Sequence, residues 1–444
     1  MGDILWDVVE EHLDEAEFLA EVWHVNLDSP AYLRDEFESG PQERLMAHVD
    51  GLVVGGDEVR TELLEAALAD EDTERWRAAA AALALLETPS SQVSAGLFTG
   101  LDERPDEVRE GIVAALSMSP RADIDVRITD ALAKDGDLAH RAALATVGGN
   151  RGVNPGNRVD DLLQGEDPTA KAAAISMLAF GDRRYLNWVE HCLADPDPQL
   201  RRAALRSGLI MGSGPAWQSV GKLGLAAEPD PDAMVLLATL ADARIVERMC
   251  GRLSDDEEEH RAALVHALGY SGRRCAMEAC LPLLAHESLG PLAGEAFASM
   301  TGLPLDDDAY WDDVEDDDDT DVEDEDLDAE LDADDDDDDL EVRPEDELRI
   351  PKPGAIAQWW SEAQARFNPK MRYIAGRPAD QAAIGHAFAV LPLRRHHAFA
   401  FELLVRSKGQ THLRSRALTD ASAAALDALH SMPRIDGNRP YGQH

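Results

Sequence analysis

The sequence predicts an all-α protein, a right-handed solenoid of stacked two-helix repeats. Three observations carry that expectation. Hydrophobic residues make up 44% of the 444 positions while aromatics are only 5%, so Ala and Leu dominate and favour helices packed closely through small side chains over β-sandwiches. One segment theme recurs along the chain at gaps of roughly 30 to 32 residues, the period of a two-helix repeat, with one shorter interval between Met234 and Arg261. Several copies are also preceded by Asp followed by Pro, which is the signature of an N-cap with Pro at the first helical position.

The first element, residues 1–56, reads as a helical cap. Its apolar residues Ile4, Leu5, Val8, Val9, Leu13, Phe18, Leu19, Val22 and Trp23 form a helical stripe, and a solenoid needs its first repeat covered. Met1 to Leu13 carries no basic run and no small-residue cleavage site, so it does not read as a signal peptide.

The second element, residues 57–305, is the repeat array. Its copies include WRAAAAALALL from Trp76, HRAALATVG from His140, RRAALRSGLIMG from Arg201 and HRAALVHALGYSG from His260. Each has a basic residue, two small residues, then Leu or Ile at helical spacing. The anchors are Arg77, Arg109, Arg141, Lys171, Arg202, Arg261 and Leu292, with a weaker copy at Met234. Asp72, Asp167, Asp197 and Asp230 are the expected caps, three of them followed by Pro168, Pro198 and Pro231. A pair of short helices cannot bury its apolar face alone, so the core should be a continuous ribbon. Leu83, Leu86, Leu116, Leu144, Ile175, Leu178, Leu205, Ile210, Leu237, Leu264, Leu268 and Phe297 are expected in it.

The third element, residues 306–347, holds 28 Asp or Glu against the single Arg343 and so accounts for 27 of the 47 net negative charges. With so little apolar content it is expected to be a disordered insertion. A calcium loop starting at Asp317 fails because Val322 stands where the sharp turn needs Gly. The fourth element, residues 348–444, reverses the balance with 14 Lys or Arg against 6 Asp or Glu. Helical patterning resumes at 354–367, 380–391 and 394–405, giving a basic C-terminal helical region. The acidic run is either a soluble linker or an arm that covers this basic end.

No catalytic motif is present: GxSxG, HExxH and phosphate-loop patterns are absent, and the Gly55-Gly56 and Gly148-Gly149 pairs lack the context of a phosphate cradle. Cys192, Cys250, Cys275 and Cys280 form no CxxC pair, and Cys275, Cys280, His260, His266 and His286 fit no standard zinc spacing. His396 and His397 are adjacent on a helix and should point apart, with His386 and His412 elsewhere. Trp359 and Trp360 beside Arg366 are expected to be buried anchors more than a ligand platform. Catalytic, cofactor-binding and metal residues are accordingly all expected to be none.

The Asp, Arg-Ala-Ala-Leu, Leu-Gly arrangement resembles HEAT-like repeats of the phycobilisome-lyase type over about residues 70 to 300. Glu43 to Leu52 (ERLMAHVDGL), Gly294 to Gly302 (GEAFASMTG) and Arg372 to Gly376 (RYIAG) are similar to an uncharacterised bacterial HEAT-repeat family, some of whose members are encoded near type VI secretion loci. The stretch from Leu393 departs from that family, with His396 and His397 where a Gln- and Arg-rich stretch is expected. The shared motifs are structural and imply no catalytic residues.

The expected function is therefore a non-enzymatic protein-protein interaction scaffold or adaptor in the cytoplasm, with protein partners and no cofactor. The resemblance implies a link to a secretion system. Nucleic acid is not expected to bind a chain of formal charge −47, and no segment reaches the length of a membrane span. The alternatives are an enzyme or chromophore-attachment helper of the lyase-like type, or an acidic nucleic-acid mimic that binds a basic partner.

Overall fold

A row of helices stacked in chain order dominates the architecture: Trp6–Asn26, Arg75–Glu87, Asp106–Met118, Leu138–Arg151, Pro168–Leu178, Pro198–Met211, Pro231–Leu240, Glu258–Leu268 and Gly290–Thr301. Shorter helices behind them, among them Asp123–Leu132, Gly214–Gly224 and Ala243–Arg252, link one to the next. This is a computed structural model, and it describes residues 4–88, 93–134, 136–254, 258–312 and 347–442. The protein is all-α, with helices packed in sequential pairs as in a HEAT-like solenoid. Two pairs of two-residue strands, Trp311–Asp312 with Ile350–Pro351 and Tyr373–Ile374 with Arg377–Pro378, are additions that the helical patterning did not show. Residues 313–346, most of the acidic run, lie outside the described residues.

Packing follows from the small side chains. On the Arg75–Glu87 helix every residue from Ala78 to Leu86 is buried, because the helices Trp6–Asn26, Glu43–Val54 and Asp106–Met118 all pack against it. Approach is so close at Gly111 that a Cβ there would sit 2.4 Å from the carbonyl oxygen of Arg75. The twelve residues expected in the ribbon are all buried.

Asp167, Asp197 and Asp230 cap their helices as expected, each accepting from a backbone N–H of the first turn. Asp72 does not: the next helix starts at Arg75 after Glu74, and the Asp72 N–H instead donates to the Asp70 carboxylate in a turn. Two residues between the Asp and the first helical position put its side chain out of reach of the open N–H groups. The N-terminal stripe is also narrower than its sequence suggests. Val9, Leu13, Leu19 and Trp23 are buried, while Leu5, Val8 and Phe18 are exposed, since only one side of this end helix has neighbours.

The C-terminal region folds back into the array. From the helix Leu393–Arg406, Leu393 N–H donates to the Tyr32 carbonyl at 3.0 Å, while Arg395 Nε bonds Glu295 at 2.6 Å. Nine helices spaced 8–10 Å apart would extend roughly 70 Å if stacked straight. Residues two positions apart on one helix reach both ends of the row, so the row bends into a tight arc with this helix inside it.

Candidate functional site

Between the arc and the C-terminal segment lies a cavity of about 640 Å³. One wall is a series of helix stripes. On Pro198–Met211, Gln199, Ala203, Arg206, Ser207 and Ile210 line it, positions that share a face at 3.6 residues per turn. Trp23, Trp76 and Val113 contribute from other helices of the row, and Phe180 from the turn after Pro168–Leu178. The opposite wall is the C-terminal segment, with His397, Phe401 and Leu404 from the helix and residues 412–417 from the strand of chain after it. That chain is pinned where it crosses the row, since Leu418 N–H donates to the Met118 carbonyl at 3.1 Å and Tyr441 Oη to the Leu209 carbonyl at 3.0 Å.

Positive charge concentrates on this lining. Arg75, Arg206, Arg414 and Arg416 reach it, against Glu110 as the carboxylate among the lining residues. Arg416 holds Asp28 through two contacts of 2.6 and 3.0 Å, and Arg414 donates to the carbonyls of Ser117 and Ser119. Arg75 lies over the Trp76 ring at 4.6 Å and reaches Glu110 only at 3.9 Å. Arg206 lies over Phe401 at 4.1 Å and has no hydrogen bond or ion pair among the described residues. Its side chain is exposed, and it lines both this cavity and a smaller one of about 230 Å³ beside Asp230 and Asp232. Desolvation by the protein around it pulls its pKa down, Asp232 opposes this, and Arg416 and Arg202 add to the fall. Asp232 is itself held by Arg202 at 3.1 Å.

The cavity's histidines are neutral. His397 Nε2 lies 2.9 Å from the Leu27 carbonyl and 3.4 Å from Asp28, while Nδ1 is 2.9 Å from Ser415 Oγ. Nε2–H therefore donates to the carbonyl, and bare Nδ1 accepts from the Ser415 hydroxyl. Burial first, and Arg416 next, hold His397 down at about 4. A base that weak gives little drive for taking a serine proton at neutral pH. The bonds instead tie the C-terminal helix to the N-terminal segment. His412 packs on Phe180 with ring centres 5.2 Å apart, and burial followed by Arg414 lowers it to about 4.

The residues singled out in the sequence are distributed around the fold. His396 is buried, stacks on Phe388 at 4.2 Å between ring centres and contacts the Leu391 carbonyl at 2.9 Å, so it and His397 do point apart. Cys280 is buried, and Cys250 and Cys275 touch between two outer helices. Trp360 is buried against Phe297 with ring centres 5.5 Å apart, and Trp359 is partly buried under Arg366. Gly148 gives room to the Met177 side chain. None of these groups reaches the cavity. Sequence reading missed Arg206, Arg414 and Arg416, and it set aside His397 and His412, which do line the cavity. The available signals were the basic surplus after residue 348 and a second Arg four positions after Arg202 in the repeat helix.

A curved helical row enclosing its own C-terminal segment defines the chain as a helical repeat protein. No protein family and no curated protein matches it. Among solved structures 23 chains match. One is an engineered protein, 17% identical over 67% of this chain and 86% of that one, with a TM-score of 0.24. Another is human deoxyhypusine hydroxylase in complex with glycerol, 14% identical over 64% of this chain and 94% of that one, with a TM-score of 0.21.

Proposed function

We propose that the protein is a non-enzymatic interaction scaffold or adaptor that works from the inner face of its solenoid. The observation that carries this reading is the inner lining itself: binding groups converge there, while its one hydroxyl and imidazole pair, Ser415 with His397, is used to hold the chain closed. Stacked helices supply surface more readily than chemistry. The C-terminal segment fills part of the arc, so the surface a partner meets is smaller than the repeat array alone would offer. The resemblance to HEAT-like repeats of the lyase type, and to a family with members near type VI secretion loci, supports a place among effector-handling or secretion components. A cytoplasmic location accords with that role, and among the described residues no helix is long and apolar enough to cross a membrane.

The second reading, an enzyme or chromophore-attachment helper, draws on the same cavity, whose volume lies within the range of small-molecule sites. Affinity purification from native lysate at low and high salt, with the wild type and Arg206→Glu in parallel, separates the two. A stoichiometric partner retained at high salt by the wild type and lost by the variant supports the scaffold. Absence of any partner, together with turnover of an added substrate, sinks it.

A further inference from the structure

In a chain of formal charge −47, four guanidinium groups line one cavity, and the chain satisfies them unevenly. Arg416 is paired with Asp28, Arg414 is spent on two carbonyls with its Nε left without a partner, and Arg75 has a distant carboxylate and an unpartnered Nε. Arg206 lies over the face of Phe401 and has no hydrogen bond or ion pair among the described residues, with Asp232 acting on it only through space. A guanidinium on a cavity wall whose N–H groups meet no protein acceptor is free to give them to an anion. Guanidinium is also the group best shaped to hold carboxylate or phosphate by paired N–H bonds.

We propose that the inner cavity is a binding site for a small organic oxyanion, phosphorylated or polycarboxylate, with Arg206 as its anchor and Arg416 and Arg75 as further donors. The cavity of about 640 Å³ has the size of a small-molecule site and not of an extended chain. Trp76 and Phe401 back two of the guanidinium groups and leave their edges to the ligand. Neutral His397 and His412 add no competing charge. The ligand would touch the helix row and the C-terminal segment together. The site goes beyond the scaffold reading and survives its failure, since testing it needs no partner.

Titration calorimetry of the full chain with pyrophosphate and with citrate, at ionic strength fixed with NaCl, reads the site. Saturable binding of at least one of them at a single site is expected, weakened about tenfold or more in Arg206→Gln, a loss of ~1.4 kcal/mol. The unliganded Arg206→Gln protein should melt within a few degrees of the wild type, because that guanidinium loses only its contact with the Phe401 ring. Arg202→Gln, which breaks only the pair with Asp232, should bind as the wild type does. If Arg206→Gln fails to fold, Arg416→Gln takes its place with the same direction of effect. Binding no stronger than a matched NaCl response overturns the proposal. So does equal affinity in the wild type and the folded Arg206 or Arg416 variant, or saturable binding of deca-aspartate with none of either small anion.

Discussion

Arg395 and Glu295 lie 100 positions apart in the chain and meet inside the protein, Nε to Oε1 at 2.6 Å, with neither side chain reaching solvent appreciably. Arg394 bonds the same carboxylate at 2.5 and 3.3 Å. Burial would raise the Glu295 carboxyl, but the two guanidinium groups more than reverse this and hold it well below the usual carboxylate range. Glu402 repeats the arrangement eight positions along the helix, taking Arg372 at 2.9 Å and Arg406 at 2.7 Å. The C-terminal helix is thus fixed at two points by buried ion pairs. Glu295→Gln should cost about 3–5 kcal/mol, the range for stranding buried charge. Urea unfolding measures it, and hydrogen exchange should show the loss centred on 393–406.

Stability should fall as the pH drops below about 6.5. Burial holds His396 at about 3, and burial with a neighbouring arginine holds His397 and His412 at about 4, against about 6.5 in an unfolded chain. Below 6.5 the unfolded chain takes up protons that the folded one refuses. The stabilisation is therefore whole above 6.5 and is lost as the pH falls toward 3 to 4. Each histidine contributes a slope of about 1.4 kcal/mol per pH unit in that window. Glu295 and Glu402, both depressed, act in the same direction at lower pH, below about 4.3. Urea midpoints at pH 7.5, 6 and 5 should decline, and His396→Gln, which keeps an N–H for the Leu391 carbonyl, should flatten the decline by about one proton.

The parts legible in the sequence are those set by local periodicity. Small residues and leucines at helical spacing fixed the row, and Asp-Pro pairs marked three of its starts. Asp72 misled because a cap depends on where the helix begins, two residues later than the pattern implied. The cavity was not legible, because it exists only where the inner face of the row and the C-terminal segment meet. Arg206 and Arg416 are 210 positions apart and nothing local links them. The tyrosine hairpin was invisible for a similar reason. Two-residue strands leave no alternating pattern to read, and the left-handed backbone at Ala375 and Gly376 is a property of the turn.

Core substitutions should differ with depth. Leu264 is 1% exposed and Leu205 is 8% exposed, at a border of the second small cavity. Both Leu→Ala changes fall within about 2–5 kcal/mol, with Leu264→Ala the larger because more of its side chain is withdrawn from solvent. Equal losses in thermal or urea unfolding would show that the row repacks freely at either depth.

Gly272 is the position at which the repeat row accepts the C-terminal hairpin, and it tests how tightly the two are joined. It follows the helix Glu258–Leu268 with φ +59, and a Cβ there would lie 1.9 Å from the Tyr373 carbonyl oxygen. Tyr373 N–H donates to the Gly272 carbonyl at 2.9 Å, and Arg273 bridges to Arg372, whose side chain continues inward to Glu402. Alanine would meet both a left-handed backbone and a backbone atom that cannot move without lifting the hairpin. Gly272→Ala should therefore cost at least about 2 kcal/mol and expose the 372–378 segment to limited proteolysis before the row itself unfolds. Gly354→Ala is the matched control, since nothing lies within 4 Å of its missing Cβ and it sits at the start of the helix Pro353–Ala363. It should leave the melt unchanged or slightly raised. Proteolysis of the Gly272 variant that begins in the row would mean that the C-terminal segment does not depend on this contact.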